Sequence, residues 1–261
     1  MIVEYHRPTQ LNEALALLAR TEPATIPIGG GSALDRTALR PFAVVDLQAL
    51  GLNTLQDKGR ELALGAALTL QRLADEIEAR QDGVLADLRK AILHEAAYNL
   101  RQVGSVAGTL VAADGRSPFT TAMLALDATL TLQPDEVPVS LGDLLPLRAE
   151  RLPHRLITTV TIPLNAHLAY GYVARSPADR PIVCVGAALW PSGRTRVALG
   201  GFGEAPMLAF DGSEAQGCEA AARNAYSQAV DQWASAEYRQ EIAGILTKRA
   251  VESLVSRQEQ F

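Results

Sequence analysis

The stretch Pro27-Ile28-Gly29-Gly30-Gly31-Ser32-Ala33-Leu34 places three consecutive glycines between an apolar run and the next element. Glycine has no Cβ, so it allows φ > 0 and lets another group approach the backbone closely. Successive N–H groups exposed in such a turn form a concavity that suits an anion, typically a phosphate. The triplet by itself is equally typical of a tight strand-to-helix turn. It matches neither Gly-x-Gly-x-x-Gly nor a phosphate loop ending in Gly-Lys-Ser/Thr.

A second stretch rich in glycine and serine, Gly104-Ser105-Val106-Ala107-Gly108-Thr109, lies far downstream. We call residues 29–34 the first glycine loop and residues 104–109 the second glycine loop. The pair favours a phosphate-binding interpretation over a simple turn. We therefore predict that the two loops face one elongated ligand that carries phosphate.

The composition indicates a folded chain with room for a core. Its 261 residues suggest one large domain or two ordinary ones, with 48% apolar and 20% charged residues. The net charge is −5 and no long basic run is present, which argues against a nucleic-acid partner. We find no signal segment and no apolar run near the ~18 residues of a membrane span, so we predict a cytoplasmic protein.

The cysteines and histidines argue against a metal site within the chain. Cys184 and Cys218 are isolated, so their spacing provides no disulfide framework, zinc site or iron–sulfur site. The four histidines are scattered, without a His-x-x-x-His or His-x-Glu pattern. If the protein performs redox chemistry, an organic cofactor must carry it.

The order of predicted elements suggests an α+β chain with a boundary near Asn165. Before the boundary, a helix with Thr9 as its N-cap and short strands at 25–28 and 42–47 form a small β-α-β unit. A strand at 61–66, a helix over 84–100 and a β-branched strand at 156–163 follow. After the boundary we predict strands at 169–173, 182–189 and 195–200, then helices over 215–230 and 238–255.

The co-linear order of seven motifs resembles the flavin-binding medium subunit of molybdenum hydroxylases, the xanthine dehydrogenase and carbon monoxide dehydrogenase family. The resemblance covers nearly the whole chain, although each motif alone is weak. The motifs are Tyr5-His6-Arg7-Pro8, Gly29-Gly30-Gly31-Ser32-Ala33-Leu34, Gly65-Ala66-Ala67-Leu68-Thr69, Arg101-Gln102-Val103-Gly104-Ser105-Val106-Ala107-Gly108-Thr109, Ala122-Met123-Leu124-Ala125-Leu126-Asp127-Ala128, Val197-Ala198-Leu199-Gly200-Gly201-Phe202-Gly203 and Ala236-Glu237-Tyr238-Arg239.

The resemblance implies a two-lobed FAD-binding domain over 1–164, of the PCMH/VAO-like type, with lobes at about 1–52 and 53–164. A C-terminal domain over 165–261, like that of carbon monoxide dehydrogenase flavoproteins, would hold a three-stranded sheet and helices. FAD would lie between the lobes, its pyrophosphate on the amides of the two glycine loops and its isoalloxazine ring toward the C-terminal domain. The flavin itself would perform the chemistry, without a protein acid, base or nucleophile.

The resemblance also implies cofactor-binding residues and partners. The partners would be a molybdenum-cofactor large subunit and a two-iron–two-sulfur small subunit, with electrons passing from the clusters through FAD to an acceptor. The implied FAD-binding residues are Ile28, Gly29, Gly30, Gly31, Ser32, Ala33, Leu34, Arg101, Gly104, Ser105, Ala107, Gly108, Thr109, Asp114 and Ile157.

Several positions depart from the family pattern. A family Asn falls at Thr109, a family Asp that contacts the flavin falls at Pro118, and a flavin-proximal Lys falls at Gly171. These changes favour an alternative, a scaffold or assembly member of the same fold with weakened or lost FAD binding. Two residues also have structural alternatives, because Arg101 can cap a helix C-terminus and Asp114 can belong to a solvated turn.

Overall fold

A computed structural model describes residues 1–32, 34, 41–80 and 83–258, and three separate sheets organise this part of the chain. Ala33, one of the predicted FAD-binding residues, lies outside the described residues. The first two sheets build the two lobes that we predicted, and the third belongs to the C-terminal region. The model is thus a mixed α/β fold in which helices pack on each sheet.

The first lobe is a small parallel β-α-β unit. Strands β1 (Ile2–His6), β2 (Thr25–Ile28) and β3 (Phe42–Asp46) pair in the order β1-β3-β2, so β2 is an edge strand. Helix α1 (Leu11–Leu18) crosses between β1 and β2 and buries Ala14 and Leu18. Thr9 is not its N-cap as we predicted, because the helix begins one residue later with Gln10 at that position and without a side-chain cap.

The second lobe is a five-stranded antiparallel sheet covered by short helices. Its strands pair in the order β4-β5-β8-β6-β7, which is why the predicted strands at 61–66 and 156–163 lie side by side. The strands are β4 (Leu55–Asp57), β5 (Glu61–Gly65), β6 (Thr129–Gln133), β7 (Val137–Ser140) and β8 (Leu156–Pro163). The helices are α2 (Leu70–Glu76), α3 (Leu85–Glu95), α4 (Tyr98–Arg101), α5 (Val106–Ala112), α6 (Pro118–Ala125), α7 (Leu141–Leu144) and α8 (Arg148–Arg151).

The helix predicted over 84–100 is in fact two helices. Helix α3 ends at Glu95, because Ala96 adopts an extended backbone with φ −158° and ψ 162°, and α4 begins two residues further on. The apolar spacing continued across this break, so periodicity alone could not reveal it. The break turns the chain toward the second glycine loop.

The C-terminal region has four strands where we predicted three. Strands β9 (His167–Val173), β10 (Val183–Leu189) and β11 (Thr195–Gly200) agree with the prediction, and β12 (Met207–Gly212) adds an edge to β11. Only one face of an edge strand needs to be apolar, and a register shift between Val197 and Ala198 further blurs its alternation. Helices α9 (Cys218–Ala225) and α10 (Ala236–Gln258) cover one face of this sheet.

Helix α6 joins the second lobe to the C-terminal sheet. All eight of its residues are buried, because it packs against strands β10 and β11 as well as against α3. A Cβ built on Gly186 of β10 would lie 3.1 Å from Ala125 Cβ and 3.1 Å from Thr121 O, which shows how closely the sheet approaches. The domain boundary predicted at 164/165 falls in the connection between β8 and β9 and stays a prediction.

Candidate functional site

A cavity of about 600 Å³ lies between the two lobes. Its walls come from three segments: the edge strand β2 with the first glycine loop, the second glycine loop with α5, and residues 148–157 leading into β8. Small-molecule sites in proteins occupy roughly 300–1,000 Å³. The cavity is thus large enough for an extended ligand that touches both loops.

The two glycine loops touch one another directly at one end of this cavity. A Cβ on Gly30 would lie 1.7 Å from Val103 O, and one on Gly29 would lie 2.4 Å from Ser105 Oγ. Gly31 has φ +75°, in the left-handed region where side chains are disfavoured. Each residue of the triplet is therefore required to be glycine for a specific steric reason.

The amides of the first loop remain available. Within the described part of the chain, no backbone or side-chain acceptor receives a hydrogen bond from the N–H groups of residues 29–32. The loop is held instead by the Leu34 N–H, which donates to Gly31 O (3.1 Å). Four successive unpaired N–H groups beside a cavity form the concavity that binds an anion.

Five of the six amides of the second loop are already bonded within the protein. Val106 N–H donates to Leu68 O (2.8 Å) and Ala107 N–H to Ala66 O (3.1 Å). The Ser105 N–H has no acceptor among the described residues, and the other three donors are used locally. Gly104 N–H donates to Leu100 O (2.7 Å), Gly108 N–H to Ser105 Oγ (3.2 Å) and Thr109 N–H to Ser105 O (2.8 Å). Ser105 is in effect the N-cap of α5, and this loop forms a wall of the cavity.

Most of the predicted site residues come together on this cavity. Arg101, Gly104, Thr109 and Asp114 do not line it, so their predicted contact with FAD remains a prediction that the cavity geometry does not support. The predicted residues that do line the cavity are Ile28, Gly29, Gly30, Gly31, Ser32, Leu34, Ser105, Ala107, Gly108 and Ile157.

Arg101 has the helix-capping contacts of the structural alternative. Its Nη1 donates to the carbonyl oxygens of Leu93 (3.1 Å) and Ala96 (2.5 Å), where α3 ends. Its Nε donates to Gln71 Oε1 (2.9 Å). A cation at this position satisfies the unpaired carbonyls of a helix C-terminus and is favoured by the helix dipole.

Asp114 belongs to the seam between the second lobe and the C-terminal domain. It accepts two hydrogen bonds from the Arg180 guanidinium, one of them at 2.8 Å, and one from Arg116 N–H (2.9 Å). Burial alone would raise the pKa of this carboxyl, but the bonds from Arg180 and Arg116 N–H hold it below its usual value. Arg116 donates to the carbonyl oxygens of Arg180 and Pro181, so the turn that contains Asp114 is partly solvated and partly packed against this segment.

Glu95 supplies a carboxylate next to Pro118, where the family Asp is missing. Its Oε2 accepts from Phe119 N–H (2.9 Å) and from Ser117 Oγ–H (2.9 Å), and so caps the start of α6. Burial raises the pKa of this carboxyl, against the lowering effect of the two hydrogen bonds. We missed Glu95 because a residue at the end of α3 gives no sign in sequence that it reaches a helix 23 positions later.

The cavity also contains three polar residues that the sequence did not indicate, Arg148, His154 and Arg155. Arg148 donates to Ala113 O (2.6 Å) and Glu204 O (2.9 Å), and Arg155 pairs with Asp135 at 3.0 Å. His154 adopts φ +61°, which is uncommon for a residue other than glycine. The only local signal was a lone histidine after Pro153, and a lone histidine has many ordinary explanations.

The family model described as "FAD binding domain in molybdopterin dehydrogenase" matches residues 1–165. This chain belongs to that family. The matched region contains both glycine loops and every segment that lines the cavity. The cavity volume and the four unpaired amides of the first loop fit a dinucleotide with a pyrophosphate centre.

Comparison with known proteins agrees over nearly the full length. The chain is 28% identical over 252 residues to the uncharacterized protein YgfM of Escherichia coli (strain K12), covering 94% of each chain. It is 26% identical over 288 residues to the carbon monoxide dehydrogenase medium chain of Afipia carboxidovorans, covering 97% of each. The fold matches a chain of carbon monoxide dehydrogenase from Hydrogenophaga pseudoflava with a TM-score of 0.82, at 22% identity and 97% coverage of both chains.

The described residues provide neither a metal-ligand cluster nor a membrane-spanning helix. No group of three or more histidine, cysteine, aspartate or glutamate side chains there is arranged to hold a metal ion. Within the same residues, no helix has the length and apolar character needed to cross a bilayer. Cys184 and Cys218 are both buried free thiols, and burial raises the pKa of Cys184 to about 12.

Proposed function

We propose that this chain is the FAD-carrying electron-transfer subunit of a molybdenum hydroxylase complex. The observation that carries the proposal is the first glycine loop, whose unpaired N–H groups face an interlobe cavity within a matched FAD-binding domain. A bound FAD would supply the redox chemistry, accepting electrons from one partner and passing them to another. The protein binds and orients the cofactor and excludes water from it.

Each wall of the cavity has a distinct part in holding the cofactor. The N–H groups of residues 29–32 would hold the pyrophosphate of a bound FAD, whose oxygens are favourable acceptors for an exposed backbone concavity. The second loop and α5 shape the opposite side, with Ala107 and Gly108 leaving space for the ligand. Ile28 and Ile157 provide apolar contact and keep water away.

The partners follow from the chemistry that this chain lacks. The relative in Afipia carboxidovorans is named a medium chain, which implies a larger and a smaller companion. We propose a molybdenum-cofactor large subunit and a two-iron–two-sulfur small subunit, in a cytoplasmic complex.

The test is a visible absorption spectrum of the purified chain before and after incubation with FAD and desalting. We expect flavin bands that persist in stoichiometric amount. Gly30→Ala is the matched negative variant, since its added methyl group would overlap the Val103 carbonyl and disrupt the loop. A wild-type chain that stays colourless both alone and in the reconstituted complex would refute the proposal.

A second candidate, a scaffold subunit without tight FAD binding, is favoured by one observation. Among the described residues, the second loop leaves only the Ser105 N–H without an acceptor, and Thr109 uses its hydroxyl internally, donating to Ser105 O (2.8 Å). The double variant Thr109→Asn, Pro118→Asp separates the two candidates. If it gains FAD that the parent lacks, the scaffold candidate holds; if the parent already binds FAD fully, that candidate fails.

A further inference from the structure

His154 is held in a fixed orientation at the end of the cavity remote from the first glycine loop. Its Nδ1 lies 2.8 Å from Leu18 O, and a carbonyl oxygen can only accept. Nδ1 therefore carries the proton, and Nε2 of the neutral ring is an acceptor. The described residues offer no partner for Nε2, while His154 lines the cavity.

The remote position of His154 follows from the topology of the first lobe. Strands β1 and β2 are parallel to β3, so α1 must run back across the sheet, and Leu18 lies near the start of β2. The glycine loop follows the other end of β2. Four residues of extended chain separate Thr25 from Gly29, a distance of about 13 Å. Both Leu18 and Thr25 line the cavity, which therefore extends along the edge strand.

Away from the first glycine loop, the part of the cavity beside Arg148 and the part beside His154 have different surroundings. Arg148 connects its side of the cavity to the C-terminal region through its hydrogen bond to Glu204 O (2.9 Å). The His154 side lies between the two lobes alone, where Ile26, which is 37% exposed, offers apolar surface for a flat ring. His154 Nε2, an acceptor beside apolar surface, suits adenosine, because this nucleoside has a flat apolar ring together with an amine and ribose hydroxyls that can donate.

We propose that His154 is a specificity-determining residue for the adenosine half of the ligand, accepting a hydrogen bond at Nε2 from the adenine amine or the ribose 2′-hydroxyl. This deepens the proposed function and rests on it for the identity of the ligand. The uncommon φ of +61° supports the assignment, because strained backbone in a non-glycine residue is concentrated at ligand-binding sites. The hydrogen bond to Leu18 O stabilises that strained conformation.

The experiment compares nucleotides on the intact chain by competition with FAD fluorescence. Probes are ADP, inosine diphosphate, which lacks the amine, 2′-deoxy-ADP, which lacks one ribose hydroxyl, and inorganic pyrophosphate. The variant His154→Gly removes the imidazole and tolerates φ > 0. The control is Glu136→Gly, since Glu136 has φ +55° but does not line the cavity.

We expect His154→Gly to weaken ADP binding about tenfold, the effect of about one lost hydrogen bond. Pyrophosphate binding and the Glu136→Gly control should be unchanged. One of the two modified nucleotides should bind the wild-type protein about tenfold more weakly than ADP does. His154→Gly should bind that nucleotide and ADP with equal affinity, and the group missing from that nucleotide is then the donor. That equalisation is a readout that a purely structural link between the lobes would not produce.

Three outcomes would overturn the assignment. The first is equal loss of ADP and pyrophosphate binding in His154→Gly, which would mean that the residue only holds the lobes together. The second is that the wild-type protein binds both modified nucleotides as tightly as it binds ADP. The third is retention of FAD without any competition by ADP, which would leave the proposed function standing while removing the adenosine site.

Discussion

The two glycine loops face the same cavity, yet they use their backbone N–H groups in opposite ways. The first loop leaves the amides of residues 29–32 without an acceptor among the described residues. The second loop donates Val106 and Ala107 N–H to carbonyls of residues 68 and 66, and turns directly into helix α5. The first loop is thus built to bind an anion, and the second to support the first and shape the wall.

The difference shows that glycine content does not by itself identify a phosphate-binding loop. What matters is whether carbonyl oxygens elsewhere in the fold already accept hydrogen bonds from these N–H groups. In the second loop they do, because residues 66–69 lie against it and Thr69 forms a β-bridge with Ser105. In the first loop the neighbouring strand β2 is an edge strand, so one side of the backbone stays open.

The largest effect should come from breaking the contact between the loops. Gly30→Ala places a methyl carbon 1.7 Å from Val103 O, so the loops must move apart. Overpacking of this kind costs roughly 1–3 kcal/mol, and we expect about hundredfold weaker FAD binding. A fluorescence titration with FAD measures it. Gly142→Ala is the control, since it lies away from the cavity and its new methyl would meet only Leu124 Cδ1 at 3.6 Å and Ser140 Oγ at 3.8 Å, and unchanged affinity in Gly30→Ala would contradict the contact.

A smaller effect should follow from Gly31→Ala, which strains only the first loop. The residue has φ +75°, and a side chain in this region costs about 1–2 kcal/mol, so we expect about five- to thirtyfold weaker FAD binding. Gly51→Ala is matched, with φ +68° and nothing within 4 Å of its Cβ. Both variants should unfold at lower urea concentration, but only Gly31→Ala should lose affinity. Equal affinities would mean that these amides do not bind the ligand.

The second loop should respond in stability rather than in binding. Ser105→Ala removes the side-chain cap of α5 and should lower the free energy of unfolding by about 0.5–2 kcal/mol. Ser140→Ala, which removes a similar cap from α7, provides the comparison. We expect FAD affinity to change less than about twofold, since one weak hydrogen bond at most is involved. A loss of affinity beyond the loss of stability would give the second loop a direct part in binding.

The smallest effect should be a pH dependence at Glu95, which precedes the second loop in sequence and caps helix α6 after it. Because burial raises the pKa of Glu95 above its ordinary value of 4.5, the protonated form is favoured in the folded state. Its contribution to stability is complete below the ordinary value and is lost as pH rises through the folded pKa. Urea unfolding between pH 4 and 8 should therefore show wild type losing stability relative to Glu95→Gln as pH rises. For the variant Glu150→Gln, at an exposed position, the free energy of unfolding should follow that of wild type at every pH. If the curve for Glu95→Gln also runs parallel to that of wild type, the prediction is contradicted.

Much of the fold was predictable because local rules agreed with one another. The strands at 25–28 and 156–163 were bounded by glycine and proline, and both are present. Boundaries failed where a tertiary contact took over, as at Ala96, where the chain turns although the apolar period continues. The fourth C-terminal strand was missed because an edge strand carries only a partial pattern.

Of the site, the sequence alone determined the first glycine loop, because a missing Cβ and a permitted positive φ are properties of the residues themselves. It also determined the family through the order of its motifs. Only the tertiary structure decided that five of the six amides of the second loop are occupied, that Arg101 and Asp114 face other partners, and that His154 reaches the cavity. The physical reason is that a hydrogen-bond donor is free or occupied according to which acceptors, often distant in sequence, the fold brings within 3 Å or so.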